Sequence, residues 1–179
     1  MRKFLVFIFV ATIIQACVPS INPLYKAEDL IFKEFLLGKW EGGSETWTFH
    51  STDQEKYMLD HFDGENGGSY TAHLLELEGK YYLDITAKEI EACDYMQKLT
   101  AFDVHTFARV DYEGEKMVIR LMSYENLDDG LKDGTLHIGH IRNSEDELLL
   151  TAPTNALQTF VTEHPELFDV DLELNKSSE

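Results

Sequence analysis

The chain reads as an all-β protein, an eight-stranded antiparallel up-and-down barrel with a C-terminal helix. Three observations lead there. Eight short runs carry the two-residue alternation of strands. Nearly all of them are joined by tight turns, which permit antiparallel neighbours, whereas parallel pairs need long crossovers. Eight such strands leave two bare edges unless the sheet closes on itself, and a barrel of about eight strands has room for side chains or one small ligand.

The runs follow in order. SETWTFH (44–50) alternates, with Trp47 and Phe49 on one face and Thr46, Thr48 and His50 on the other. EKYMLDHF (55–62) comes next, then DGENGG (63–68), a hairpin signal because asparagine and glycine accept positive φ. SYTAHLLEL (69–77) and KYYLDIT (80–86) are joined by Glu78-Gly79. DVHTFARVDY (103–112) and EKMVIRLM (115–122) are joined by Glu113-Gly114, and HIGHIR (137–142) and ELLLT (147–151) flank a polar turn. Inward faces on strict alternation include Trp47, Phe49, Leu74, Tyr81, Leu83, Met117 and Ile119.

Three stretches interrupt the meander. In residues 87–102, Ile90, Cys93 and Met96 recur at a spacing of three, which predicts a short helix burying Cys93 as a small hydrophobe. Residues 123–134 (SYENLDDGLKDG) predict one helical turn plus a loop. Pro153-Thr154-Asn155 opens a helix over 155–164, with Asn155 and Gln158 as a capping pair, Leu157, Phe160, Val161 and His164 on one face, and Pro165 as its stop. Residues 169–179 are acidic and read as a loose tail.

The N-terminus carries an address. Arg2 and Lys3 precede an apolar run over 4–14, the pattern of a signal peptide spanning residues 1–16. The run is shorter than the ~20 residues a membrane-spanning helix needs. Ile14-Gln15-Ala16-Cys17 resembles the bacterial lipobox, although Gln15 stands where a small residue is usual. That resemblance implies a diacylglyceryl group on the Cys17 sulfur, cleavage before Cys17, and palmitate-like acylation of the new amine. Two or three such chains anchor stably where one is marginal. Val18 stands where enterobacterial lipoproteins retained at the inner membrane have aspartate, which by analogy favours the outer membrane. The mature chain then divides into a lipid-anchored tether and lead-in over 17–35, the barrel with its helix over 36–168, and the tail.

The formal charge is −18, and loss of Arg2 and Lys3 with the signal peptide takes it to −20. Such a surface repels phosphate backbones, so no nucleic-acid partner is expected, and the membrane partner is reached through lipid rather than a basic patch. With Cys17 acylated, Cys93 is the one remaining cysteine, which leaves no internal disulfide.

Gly38-Lys39-Trp40 before the first strand resembles the G-x-W signature of lipocalins, which implies a tryptophan packed across the closed end of a barrel and a helix on its wall. The chain also resembles a group of uncharacterised bacterial lipoproteins, through Asn22-Pro23-Leu24-Tyr25, Leu37-Gly38-Lys39-Trp40, His105-Thr106-Phe107, Leu150-Thr151-Ala152 and Leu157-Gln158-Thr159-Phe160. Unlike secreted lipocalins, it has no disulfide pair, and an insertion at 87–102 stands where a hairpin is usual.

No G-x-S-x-G, glycine-rich phosphate loop or HExxH is present, and no catalytic residue, metal or cofactor is expected. His137 and His140, three apart on a strand, point to opposite faces. His61, His73 and His105 lie mid-strand; His73 shares a face with Leu75 and Leu77, and His105 with Phe107. The candidate ligand-lining residues are Trp47, Phe49, His73, Tyr81 and His105, the two histidines serving as polar handles in the lumen. The expected role is non-catalytic binding of a small apolar ligand or an envelope protein partner. A barrel enzyme such as an isomerase, or a filled barrel acting as an interaction scaffold, is the alternative. The fold alone does not decide among them.

Overall fold

The computed structural model describes residues 18–52, 56–87 and 103–177. Its strands are β1 (Gly38–Gly42), β2 (Glu45–Ser51), β3 (Tyr57–Phe62), β4 (Gly67–Leu77), β5 (Lys80–Ala87), β6 (His105–Glu113), β7 (Lys116–Leu121), β8 (His140–Arg142), β9 (Leu148–Leu150) and β10 (Val170–Lys176). Two α-helices, α1 (Tyr124–Asp133) and α2 (Thr154–Glu163), follow β7 and β9. Strands β1 to β7 and β10 close into one antiparallel barrel, while β8 and β9 pair as a separate two-stranded sheet.

The all-β barrel with a C-terminal helix is therefore as expected, but two of its strands are not. HIGHIR and ELLLT lie outside the wall, and their places are taken by the Gly38-Lys39-Trp40 segment and by the acidic tail. Far from being loose, the tail is the closing strand: β10 pairs with β7 from Val170↔Leu121 to Asn175↔Lys116, and with β1 at Trp40↔Lys176 and Glu41↔Asn175. Its charge had disguised its period. Leu172 and Leu174 pack into the barrel while Asp171 and Glu173 stay exposed, which is the alternation of a strand with one wet face.

Two glycines make the β1 junctions possible. Gly38 turns into the strand at φ 99°, and a Cβ on Gly42 would lie 2.0 Å from the carbonyl oxygen of Glu173. No side chain fits between β1 and β10 there.

The wall separates two apolar cores. The inner one includes Leu36, Trp40, Trp47, Phe49, Tyr57, Leu74, Leu83, Met117, Ile119 and Leu174, all buried. The outer one, covered by α1, α2 and the lead-in, includes Val18, Leu24, Leu75, Tyr82, Phe107, Leu150, Leu157 and Phe160. Because both faces of the wall are covered, β5 buries Tyr82, Leu83, Asp84 and Ile85 in succession.

The lead-in is packed rather than free. Ser20 exchanges both backbone hydrogen bonds with His105 (2.9 and 2.8 Å), and on its other edge Ile21 N–H and the Pro19 carbonyl bond to Leu150 (3.0 and 2.9 Å). Residues 19–21 thus occupy the edge of β6 beyond the last β7 partner, and they carry β9 and β8 outward as an extension sheet.

Residues 123–134 form a full helix instead of a single turn. The Ser123 hydroxyl caps α1 by accepting from Asn126 N–H, and Gly134 ends it in the left-handed conformation. In α2 the expected Asn155–Gln158 capping pair is absent. Pro153 occupies the cap, and the Gln158 amide instead donates to the Leu24 carbonyl (2.8 Å) and Asp29 (2.6 Å). Pro165 does end α2, followed by a 3₁₀ turn at Pro165–Leu167. The expected Cys93 helix and most of the 87–102 insertion lie outside the described residues. No helix among the described residues is long and apolar enough to cross a membrane.

Candidate functional site

One end of the barrel is plugged. The 3₁₀ turn at Glu34–Leu36 sits across the end where β1 begins and β10 finishes. Trp40 is fully buried there, and its indole N–H donates to the Leu36 carbonyl (2.9 Å). Lys176 lies over the Trp40 ring at 4.9 Å and donates to the Phe35 carbonyl. Phe35 stacks on Tyr112 at 4.1 Å and meets Tyr81 at 5.7 Å, and Phe32 stacks on Tyr57 at 5.1 Å. The Tyr57 hydroxyl accepts from Lys33 N–H (2.7 Å), and burial pushes its phenol above the ordinary range. This end is a fixed base.

The inward residues at the opposite end, the upper rim, are chemically different. Glu45 and Trp47 on β2, His61 on β3, Tyr70 on β4 and Thr106 on β6 all have the parity of the inner face. His61 Nε2 lies 2.6 Å from Glu45 Oε2, and the imidazole meets Trp47 edge-on at 5.0 Å. Both side chains of that pair keep contact with water, at 25% and 20% exposure. The Trp47 indole N–H and the Thr106 hydroxyl are buried and have no hydrogen-bond partner among the described residues. Buried polar groups are seldom left so, because each costs about 1–3 kcal/mol. The rim therefore combines apolar walls, two unanswered polar groups and a carboxylate–imidazole pair, which suits the polar end of a mostly apolar molecule.

Of the expected lining residues, Trp47 and Phe49 lie inside the barrel and Tyr81 borders its base. His73 and His105 do not line the lumen. His73 pairs with Asp84 in register, and Asp84 with Phe107, an outer-core residue. Alternation placed Leu74 inward, as found, but with both faces of β4 apolar it admitted His73 to the lumen as well. His61 is the histidine that points in. Its signal was the Tyr57–Leu59–His61 parity, which pairs in register with Phe49 and Trp47 on β2.

His73 and His105 belong instead to a network beneath the lead-in, centred on buried Asp84. Asp84, fully buried, accepts from Leu24 N–H (2.7 Å) with one oxygen and meets His105 Nδ1 (2.6 Å) with the other. Tyr25 packs on His73 at 4.4 Å and on His105 at 6.4 Å. Burial, then the charges of Asp84 and Asp103, hold the Tyr25 phenol above its usual range. Asn22 donates to the Ala152 carbonyl (3.0 Å), and the Thr154 hydroxyl to that of Pro23. Hence four of the five segments that carry the lipoprotein resemblance meet here, on the outer wall. Their shared work is to clamp residues 18–25 to the barrel.

Cys17 lies outside the described residues. Among the described residues no group of three or more His, Cys, Asp and Glu side chains is placed to hold a metal ion. Compared with protein-family models, curated proteins and solved structures, the chain matches none.

Proposed function

We propose that this protein is an envelope lipoprotein, acylated at Cys17 and held at the outer membrane, whose lipocalin-like barrel binds a small, mostly apolar ligand without converting it. The observation that carries the binding role is the Trp47 indole N–H, buried at the upper rim with no partner. A ligand bearing an acceptor oxygen would satisfy it while its apolar body packed against Trp47 and Tyr70 at the rim. The Cys17 reading rests on the lipobox resemblance after an apolar run of signal-peptide length. A second reading draws on the Glu45–His61 pair: a carboxylate orienting an imidazole is a device of acid–base enzymes, and an isomerase would use it on a ligand held at this rim.

The test is titration of the purified protein with an environment-sensitive apolar dye, alongside Trp47→Phe and His61→Gln. Ligand binding predicts saturable fluorescence that Trp47→Phe weakens by about tenfold, the worth of one hydrogen bond near 1.4 kcal/mol. Absence of saturable binding sinks the carrier and leaves an interaction scaffold. In a host that acylates lipoproteins, Cys17→Ser should abolish fatty-acid labelling; a variant that still labels refutes the anchor.

A further inference from the structure

Among the described residues, five large apolar side chains are exposed, and three of them crowd one place: Ile21 at 43%, Val104 at 46% and Ile141 at 55%. Register shows that they share a face. Ser20 bridges His105 antiparallel and Leu150 in parallel, and all three are buried, so their side chains point to the outer core. The neighbours therefore point the other way. Ile21 stands opposite Val104, while Leu149 pairs with Ile141. One face of the extension sheet thus carries Pro19, Ile21, Val104, Leu149 and Ile141, and it runs on from the upper rim of the barrel wall. Nothing in the described chain covers it.

We infer that this face lies against the lipid bilayer. The inference rests on the lipid-anchored reading of Cys17, and its argument is one of reach. Val18 is only 1% exposed and is packed in the outer core, and Pro19 to Ile21 are bonded into the extension sheet. Consecutive Cα atoms are 3.8 Å apart, so acyl chains on Cys17 enter the membrane within about one residue of the packed domain. A chain clamped from its second mature residue has no slack to hold the domain away from lipid. The apolar face begins at Pro19, two residues from Cys17, where Arg142, Asn143 and Glu147 border it, and the net charge of the chain is strongly negative. Apolar contact with a neutral bilayer fits these facts, whereas electrostatic attraction to anionic lipid does not. The orientation brings the upper rim, with Trp47 and His61, to the membrane side and turns the plugged base away.

Depth-dependent quenching tests this directly. Single tryptophans at Val104→Trp and Ile141→Trp are compared with Glu78→Trp and Glu115→Trp in the turns at the base, with native Trp40 and Trp47 as a common buried background. The protein, with Cys93→Ala, is coupled through Cys17 to a maleimide lipid in phosphatidylcholine vesicles containing brominated acyl chains. Coupling fixes the anchor chemically, so the result does not depend on whether cells acylate Cys17; fatty-acid labelling reports that separately. The new tryptophans at 104 and 141 should lose most of their emission, those at 78 and 115 none, and added salt should change neither. Equal quenching at all four positions, or quenching only at the base, overturns the proposal.

Discussion

The two sides of the barrel wall are held together by different means. Inside, Trp40, Phe49, Leu74, Leu83, Met117 and Ile119 interlock through apolar contact, and hydrogen bonding concentrates at the plugged base. Outside, an apolar core of similar size is threaded by a polar network: Asp84 with His105 and Leu24, Asn22 with Ala152, and Gln158 with Leu24. An apolar core tolerates repacking at modest cost, but a buried network fails as a unit when one member is lost. The inner core makes the barrel, whereas the outer one fixes the lead-in and with it the direction in which the chain leaves the domain.

That contrast can be broken from either side. The largest expected effect is Trp40→Ala, which removes the keystone of the base and should cost about 3–5 kcal/mol in denaturant unfolding. The loss should appear equally in probes of both cores, because the outer one has no wall without the barrel. Asp84→Ala should cost about 3 kcal/mol by leaving Leu24 N–H and His105 without their buried acceptor. Here the two sides should separate: amide exchange at residues 20–24 should accelerate far more than exchange in β2 and β3. Uniform acceleration would show that the lead-in and the barrel unfold as one unit.

The smallest effect is Asp128→Asn. Hydrogen bonding to Lys132, opposed by some burial and helped by Arg142, holds the Asp128 carboxyl below the ordinary carboxylate range. A depressed carboxyl stabilises the fold above its unfolded pKa, and that contribution is lost as pH falls through the folded value. The variant should thus be less stable than wild type by at most about 1 kcal/mol near neutrality, since solvent screens the pair. The difference should fade below about pH 4. A difference that persists into acid would assign the effect to packing of α1 on β8 rather than to charge.

How much of this was legible beforehand follows the same division. Strands of the inner core with one face near water, such as β2, showed their alternation plainly, and the turns at Glu78-Gly79 and Glu113-Gly114 fell where expected. Alternation placed Leu74, Tyr81 and Leu83 inward correctly, but where both faces are covered, as in β4 and β6, it also admitted His73 and His105, which lie on the outer face. It also failed where strand and tail share a composition, as in β10, whose leucines were hidden among acids. The rim was partly readable, because Trp47 and Phe49 were singled out. The pairing of Glu45 with His61 depended on a register between strands that no local pattern encodes. The clamp on the lead-in was invisible for a like reason: its partners at Asp84, His105, Ala152 and Gln158 are scattered along the chain.

The strand that closes the barrel is also the last of the described strands in chain order. Trp40 pairs with Lys176, far along the chain, so β1 waits with a bare edge until β10 has been made. A contact of such long range is slow to form, and closing the intervening loop costs entropy before any pairing repays it. The nascent protein cannot lock into its ring while the ribosome still holds β10, and the wall closes only once that strand is free.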